Sequence, residues 1–72
     1  MKMTLKALRV NAGLNQDKAA EGVGVSRVTI QSWEDYKTFP TAPQLVRLSN
    51  LYNCNLDDIF IPDLLTLSEQ EG

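Results

Sequence analysis

Ser26, Arg27, Gln31 and Ser32 gather hydrogen-bonding side chains into one short stretch, with the apolar Val28 among them. What such a set offers is recognition. Arginine presents forked donors, the amide both donates and accepts, and the hydroxyls do either. Catalysis lacks its usual parts. The chain has no histidine, and it has no glycine loop of the kind that cradles phosphate. Cys54 is the only cysteine and stands between Asn53 and Asn55 with no base beside it, so inert packing is its expected role. Neither a disulfide nor a structural metal is expected, and no enzyme activity and no cofactor.

The elements that must position these side chains read as helices. Leu5, Leu8 and Ala12 recur at helical spacing, with Lys2, Lys6 and Arg9 on other faces. Asn15 is a natural N-cap for a second helix, about Gln16 to Gly22, whose inner side is Ala19, Ala20 and Val23. Gly22 inside that helix is a weak spot, costing about 1 kcal/mol against alanine. Gly24 can turn the chain sharply without a Cβ clash. Ser26 then caps a third helix, Arg27 to about Glu34, with Ile30 and Trp33 as its core side. Ser26, Arg27, Val28, Gln31 and Ser32 are left facing outward. Residues 35–40 read as a loop. Thr41-Ala42-Pro43-Gln44 has the form of a capping box with proline in the first turn. It opens a fourth helix that buries Leu45, Leu48, Leu51 and Tyr52. Asn55 caps a short fifth helix carrying Ile59 and Phe60, which Pro62 discourages from continuing.

Size and charge bound the rest. Seventy-two residues make one small domain. The expected division is a folded unit over residues 1–61 and an acidic, leucine-containing tail over 62–72. No apolar run is long enough to cross a bilayer, so a soluble cytoplasmic protein is expected, with no membrane partner. The net charge of −2 is unevenly spread. Residues 1–47 set all seven Lys and Arg against four carboxylates, a net +3, whereas residues 48–72 carry five carboxylates and no base. Such asymmetry bears on partners more than on fold.

The ordered set Gln16, Ala20, Gly24, Val25, Ile30, Trp33, Pro40 and "LDDIF" at 56–60 resembles the Cro/repressor helix-turn-helix family of phage and bacterial regulators. The resemblance covers about Leu5 to Ile61. It implies an all-α, compact five-helix, lambda-repressor-like DNA-binding domain whose helix-turn-helix is made by the second and third helices. It also implies a sequence-specific DNA-binding transcriptional regulator of a phage or prophage genetic switch. The physical sense is direct: Ala20 lacks bulk, so two helices can cross closely, and Gly24 sets the angle. The third helix then fits a B-DNA major groove about 12 Å wide.

On that reading Arg27 can donate two hydrogen bonds to guanine, Val28 can meet a thymine methyl, and Ser26, Gln31 and Ser32 can reach bases or backbone. By analogy with the family, Gln16 binds a phosphate from the start of the second helix, and Lys37 adds a backbone contact. The resemblance also pairs Arg9 with Glu34 as a structural brace. If that pair is buried, deleting one partner should cost about 3–5 kcal/mol. A homodimer would space its half-sites about 34–36 Å apart, joined through the fifth helix and the leucines of the tail.

A second reading stays open. The whole chain is acidic, and "EDYK" at 34–37 departs from the family's "ENGK", replacing a glycine that lets backbone approach phosphate. Val28 and the Leu64-Leu65-Leu67 stretch also offer apolar contact. An antirepressor, or modulator of repression, bound to a heterologous phage repressor would fit these features.

Overall fold

The computed structural model describes residues 2–62. Four α-helices follow in order: α1 Leu5–Asn11, α2 Gln16–Val23, α3 Arg27–Glu34 and α4 Ala42–Leu51. A single 3₁₀ turn, Leu56–Asp58, closes the described chain.

Each α-helix starts where a short polar side chain can take one of its free N–H groups. Thr4 accepts from Ala7 at 3.1 Å and Asn15 from Lys18 at 2.8 Å. Ser26 accepts from Thr29 at 3.2 Å. At α4 the predicted box is reciprocal: Gln44 N–H donates to the Thr41 hydroxyl, and the Gln44 side chain accepts from Thr41 N–H at 2.8 Å.

Ala19, Ala20 and Val23 of α2 pack with Ile30 and Trp33 of α3 in a core that also takes Leu5, Leu8, Leu48, Tyr52 and Ile59. Burying a side chain as large as Leu48 contributes about 1.5–3 kcal/mol. The two alanines allow α2 to lie close to its neighbours. Gly22 goes further: a Cβ there would stand 2.8 Å from Leu51 Cδ1, so any side chain at 22 requires Leu51 to turn its methyls aside. At the end of α2 Gly24 is left-handed, φ +86°, and the N–H groups of Gly24 and Val25 both donate to Ala20 carbonyl. Arg47 Nη1 takes the neighbouring Val23 carbonyl at 3.2 Å, so α4 helps hold the turn.

The expected fifth helix is not formed. Ile59 N–H closes a three-residue turn on Leu56 carbonyl, and Ile59 itself is extended and buried. Phe60 N–H then donates to Met3 carbonyl and Met3 N–H to Asp58 carbonyl, both at 2.8 Å. Two causes divert the segment. Pro62 biases its predecessor to extended backbone, and so short a helix cannot repay its nucleation. Pairing with the N-terminal segment supplies the backbone partners instead. Phe60, expected on that helix, is partly exposed. The tail beyond Pro62, with Leu64, Leu65 and Leu67, lies outside the described residues. Arg9, on another face of α1 than Leu5 and Leu8, is buried, as its expected role as a brace with Glu34 allows. No helix among the described residues is long and apolar enough to cross a membrane.

Candidate nucleic-acid interface

The α2–turn–α3 unit leaves one face of α3 in solvent. Arg27, Val28 and Gln31 are exposed, Val28 to 68%, the most of the large apolar side chains exposed among the described residues. Ser26 is exposed, but its hydroxyl is occupied as the cap and lies 3.0 Å from the Thr29 hydroxyl. Ser32 is half-buried, less outward than its spacing suggested, and its carbonyl accepts from Lys37 N–H at 2.9 Å.

Gln16 joins this face to the interior. Its Nε2 donates to Glu34 Oε1 at 3.1 Å, while its Oε1 accepts from Arg27 Nε at 3.4 Å and from Gln31 Nε2 at 3.2 Å. Three of the expected site residues are therefore brought together by direct contacts. Behind Gln16 lies the brace. Arg9 Nε donates to Glu34 Oε2 at 2.6 Å, its Nη2 to Glu34 Oε1 at 3.3 Å, and its Nη1 to Leu14 carbonyl at 2.8 Å. The two side chains are only 10% and 5% exposed. The hydrogen bond to Glu34 raises the arginine's pKa, burial working against it. A buried pair with its donors satisfied holds geometry well, because loosening it would strand a charge. The C-terminal ends of α1 and α3 are locked together, and Gln16 links Glu34 to Arg27 and Gln31 on the outer face.

Asp17 was not anticipated as part of the site. Its Oδ1 is 3.9 Å from Arg27 Nε, and both side chains are well exposed. The two are ten positions apart and on different helices, so no periodicity signals the pairing. Arg9, Asn15, Gln16, Asp17 and Arg27 line an open polar notch of about 280 Å³. A larger cleft of about 390 Å³, reaching from Leu8 to Cys54, shares none of these residues. Burial raises the Cys54 thiol's pKa, with Asp58 adding to it, as suits a packed and unreactive cysteine.

In the loop after α3, Tyr36 stands where the resembling family's pattern has glycine. Tyr36 adopts the left-handed φ of +57°. Its ring packs edge-on to Phe60, and its hydroxyl donates to Phe60 carbonyl at 2.8 Å and accepts from Leu5 N–H at 3.4 Å. The N–H groups of Tyr36, Lys37 and Thr38 all turn inward, to Trp33 or Ser32 carbonyl. Of the loop's means of holding an anion, the exposed Lys37 side chain is left outward.

Two short helices, a turn hinged on a left-handed glycine, and a second helix set outward on a braced base define a helix-turn-helix protein. The Helix-turn-helix family model matches residues 5–59, and the chain belongs to that family. Among curated relatives it is 34% identical over 69 residues to the HTH-type transcriptional activator BcrR of Enterococcus faecalis. That match takes in 94% of this chain but 34% of the activator, so the chain spans about a third of that protein's length. It is also 30% identical over 63 residues to an uncharacterized HTH-type transcriptional regulator of Archaeoglobus fulgidus, covering 88% of this chain and 90% of the relative. YgzD of Bacillus subtilis, an uncharacterized HTH-type transcriptional regulator, is 30% identical over 60 residues, covering 83% and 91%.

Proposed function

We propose that this protein is a sequence-specific DNA-binding transcriptional regulator that reads the major groove with α3. The observation carrying the proposal is the outward face of Arg27, Val28 and Gln31, held through Gln16 to the buried Arg9–Glu34 pair. Membership of the family and the printed names of its relatives support it. In this reading Arg27 reads guanine, Val28 meets a thymine methyl, and Gln31 and Ser26 serve adjacent bases or backbone. Lys37 contacts phosphate through its side chain. Gln16, whose amide is already engaged, contributes by orienting its neighbours and by any phosphate contact its position at the start of α2 permits. Its resemblance to Cro/repressor proteins supports a role for the regulator in a phage or prophage switch.

The test is a mobility-shift titration of the full chain on the DNA flanking its own gene, at several salt concentrations, against scrambled duplex. Specific binding that weakens steeply with salt is expected. Arg27→Ala should lose roughly 1–3 kcal/mol of preference for the specific duplex. Equal affinity for scrambled DNA, or no loss with Arg27→Ala, would refute the assignment. A homodimer should protect two half-sites about 34–36 Å apart in a footprint.

The 68% exposure of Val28 favours one second reading, a modulator that docks on a partner repressor. That reading predicts stoichiometric capture of the repressor, with weak binding to every duplex and no effect of Arg27→Ala on it.

A further inference from the structure

We propose that Asp17 is a specificity-determining residue that acts through Arg27, holding the guanidinium by its Nε edge so that its terminal amino groups face a guanine. The inference rests on the DNA-reading role proposed above. Arg27 opens α3, and its Nε donates to Gln16 Oε1 at 3.4 Å, while Asp17 Oδ1, also in the first turn of α2, stands 3.9 Å away as an ion pair without a hydrogen bond. Guanine is read by two parallel donors of a guanidinium fork, which must arrive in one plane. An arginine gripped at Nε keeps its terminal amino groups for that contact. One left ungripped can turn and settle on any nearby phosphate, which carries no sequence information.

Gln16 alone is a poor clamp. Its Oε1 is shared between Arg27 and Gln31, and its amide nitrogen is committed to Glu34. Asp17 is 71% exposed in its side chain and forms no second ion pair among the described residues, while its neighbour Lys18 is paired with Glu21. The carboxylate has a further effect at the same spot. Its charge opposes a phosphate approaching Arg27, so it raises the cost of the non-specific alternative as well as favouring the specific one. In the free protein the pair is solvated and adds little to stability. Removing the charge therefore leaves the fold standing and isolates recognition.

The experiment is selection from a duplex pool randomised across one helical turn, using the full chain, Asp17→Asn and Arg27→Ala. Thermal melting of each protein is run alongside. The wild type should enrich a guanine at one position, and Arg27→Ala should lose it. Asp17→Asn should melt like the wild type and keep the other enriched positions. Its guanine-over-adenine preference at that one position should drop by about fivefold or more, while its affinity for unselected duplex rises. An unchanged guanine preference in Asp17→Asn overturns the proposal, whatever happens to total affinity. A pool from which the wild type enriches nothing sinks the DNA-reading function itself, and this inference with it.

Discussion

Tyr52 shows how one side chain ties the site to stability. It is 5% exposed at the end of α4, and its pKa is pushed up to about 12. Burial is the main cause, the Glu34 charge adds to it, and Arg9 partly offsets it. A phenol whose folded pKa exceeds its ordinary 10.0 holds its proton more tightly in the folded chain than in the unfolded one. Its contribution is fully present below pH 10 and lost as pH rises toward 12, a loss on the order of 2 kcal/mol. Urea denaturation across that range should show wild type losing more stability than Tyr52→Phe. Parallel curves for the two would disprove it. At this scale the caps Asn15, Ser26 and Thr41 were legible from sequence, because each acts on an N–H group within three residues of itself; the Thr4 cap of α1 was not singled out. The Arg9–Glu34 pair was foreseen through family likeness. Asp17 beside Arg27 was not, since nothing local joins them.

Helices are the next scale, and Gly22 separates propensity from packing. A glycine inside an open helical position usually costs about 1 kcal/mol against alanine, so Gly22→Ala would ordinarily stabilise α2. Here the added methyl would meet Leu51 Cδ1 at 2.8 Å and Cδ2 at 2.9 Å. The half-buried Leu51 must rotate its methyls away, and that repacking, at most the roughly 1–3 kcal/mol of overpacking in a tight core, offsets the propensity gain. Gly22→Ala is therefore expected to be neutral or destabilising in chemical denaturation. The same change in a Leu51→Ala background should recover the propensity gain. Stabilisation by the single substitution alone would show that α4 yields freely. The second and third helices, the turn at Gly24 and the α4 capping box were all readable in advance, for their signals repeat within one or two turns. The fifth helix was misread because its residues suit a helix locally while Met3 offers them better backbone partners.

Across the whole molecule, Tyr36 fastens together three parts that are far apart in sequence. From the loop after α3, its hydroxyl reaches the start of α1 and the carbonyl of Phe60. These contacts hold a non-glycine residue at positive φ, a conformation that otherwise costs of order 1–3 kcal/mol. Tyr36→Phe keeps the ring and removes both hydrogen bonds, so a loss of about 0.5–1.5 kcal/mol is expected in urea denaturation. Amide exchange at Leu5 should quicken in that variant. Full stability with unchanged protection would show that ring packing alone holds the clasp. Charge also acts at this scale: an acidic chain can still present Arg27 and Lys37 outward, because both belong to residues 1–47, which carry a net +3, and both are exposed.

The limits, caps and apolar faces of α2 and α3, the sharp turn between them and the capping box of α4 were determined by the sequence alone, since each depends on groups no more than a turn or two apart. Gly22 against Leu51, Tyr36 against Phe60, Asp17 against Arg27 and the pairing of Met3 with Ile59 were decided only by tertiary structure. Such contacts join residues separated along the chain by loops and helices. Which of them meet depends on how rigid helices pack around one small core, and no local pattern carries that information.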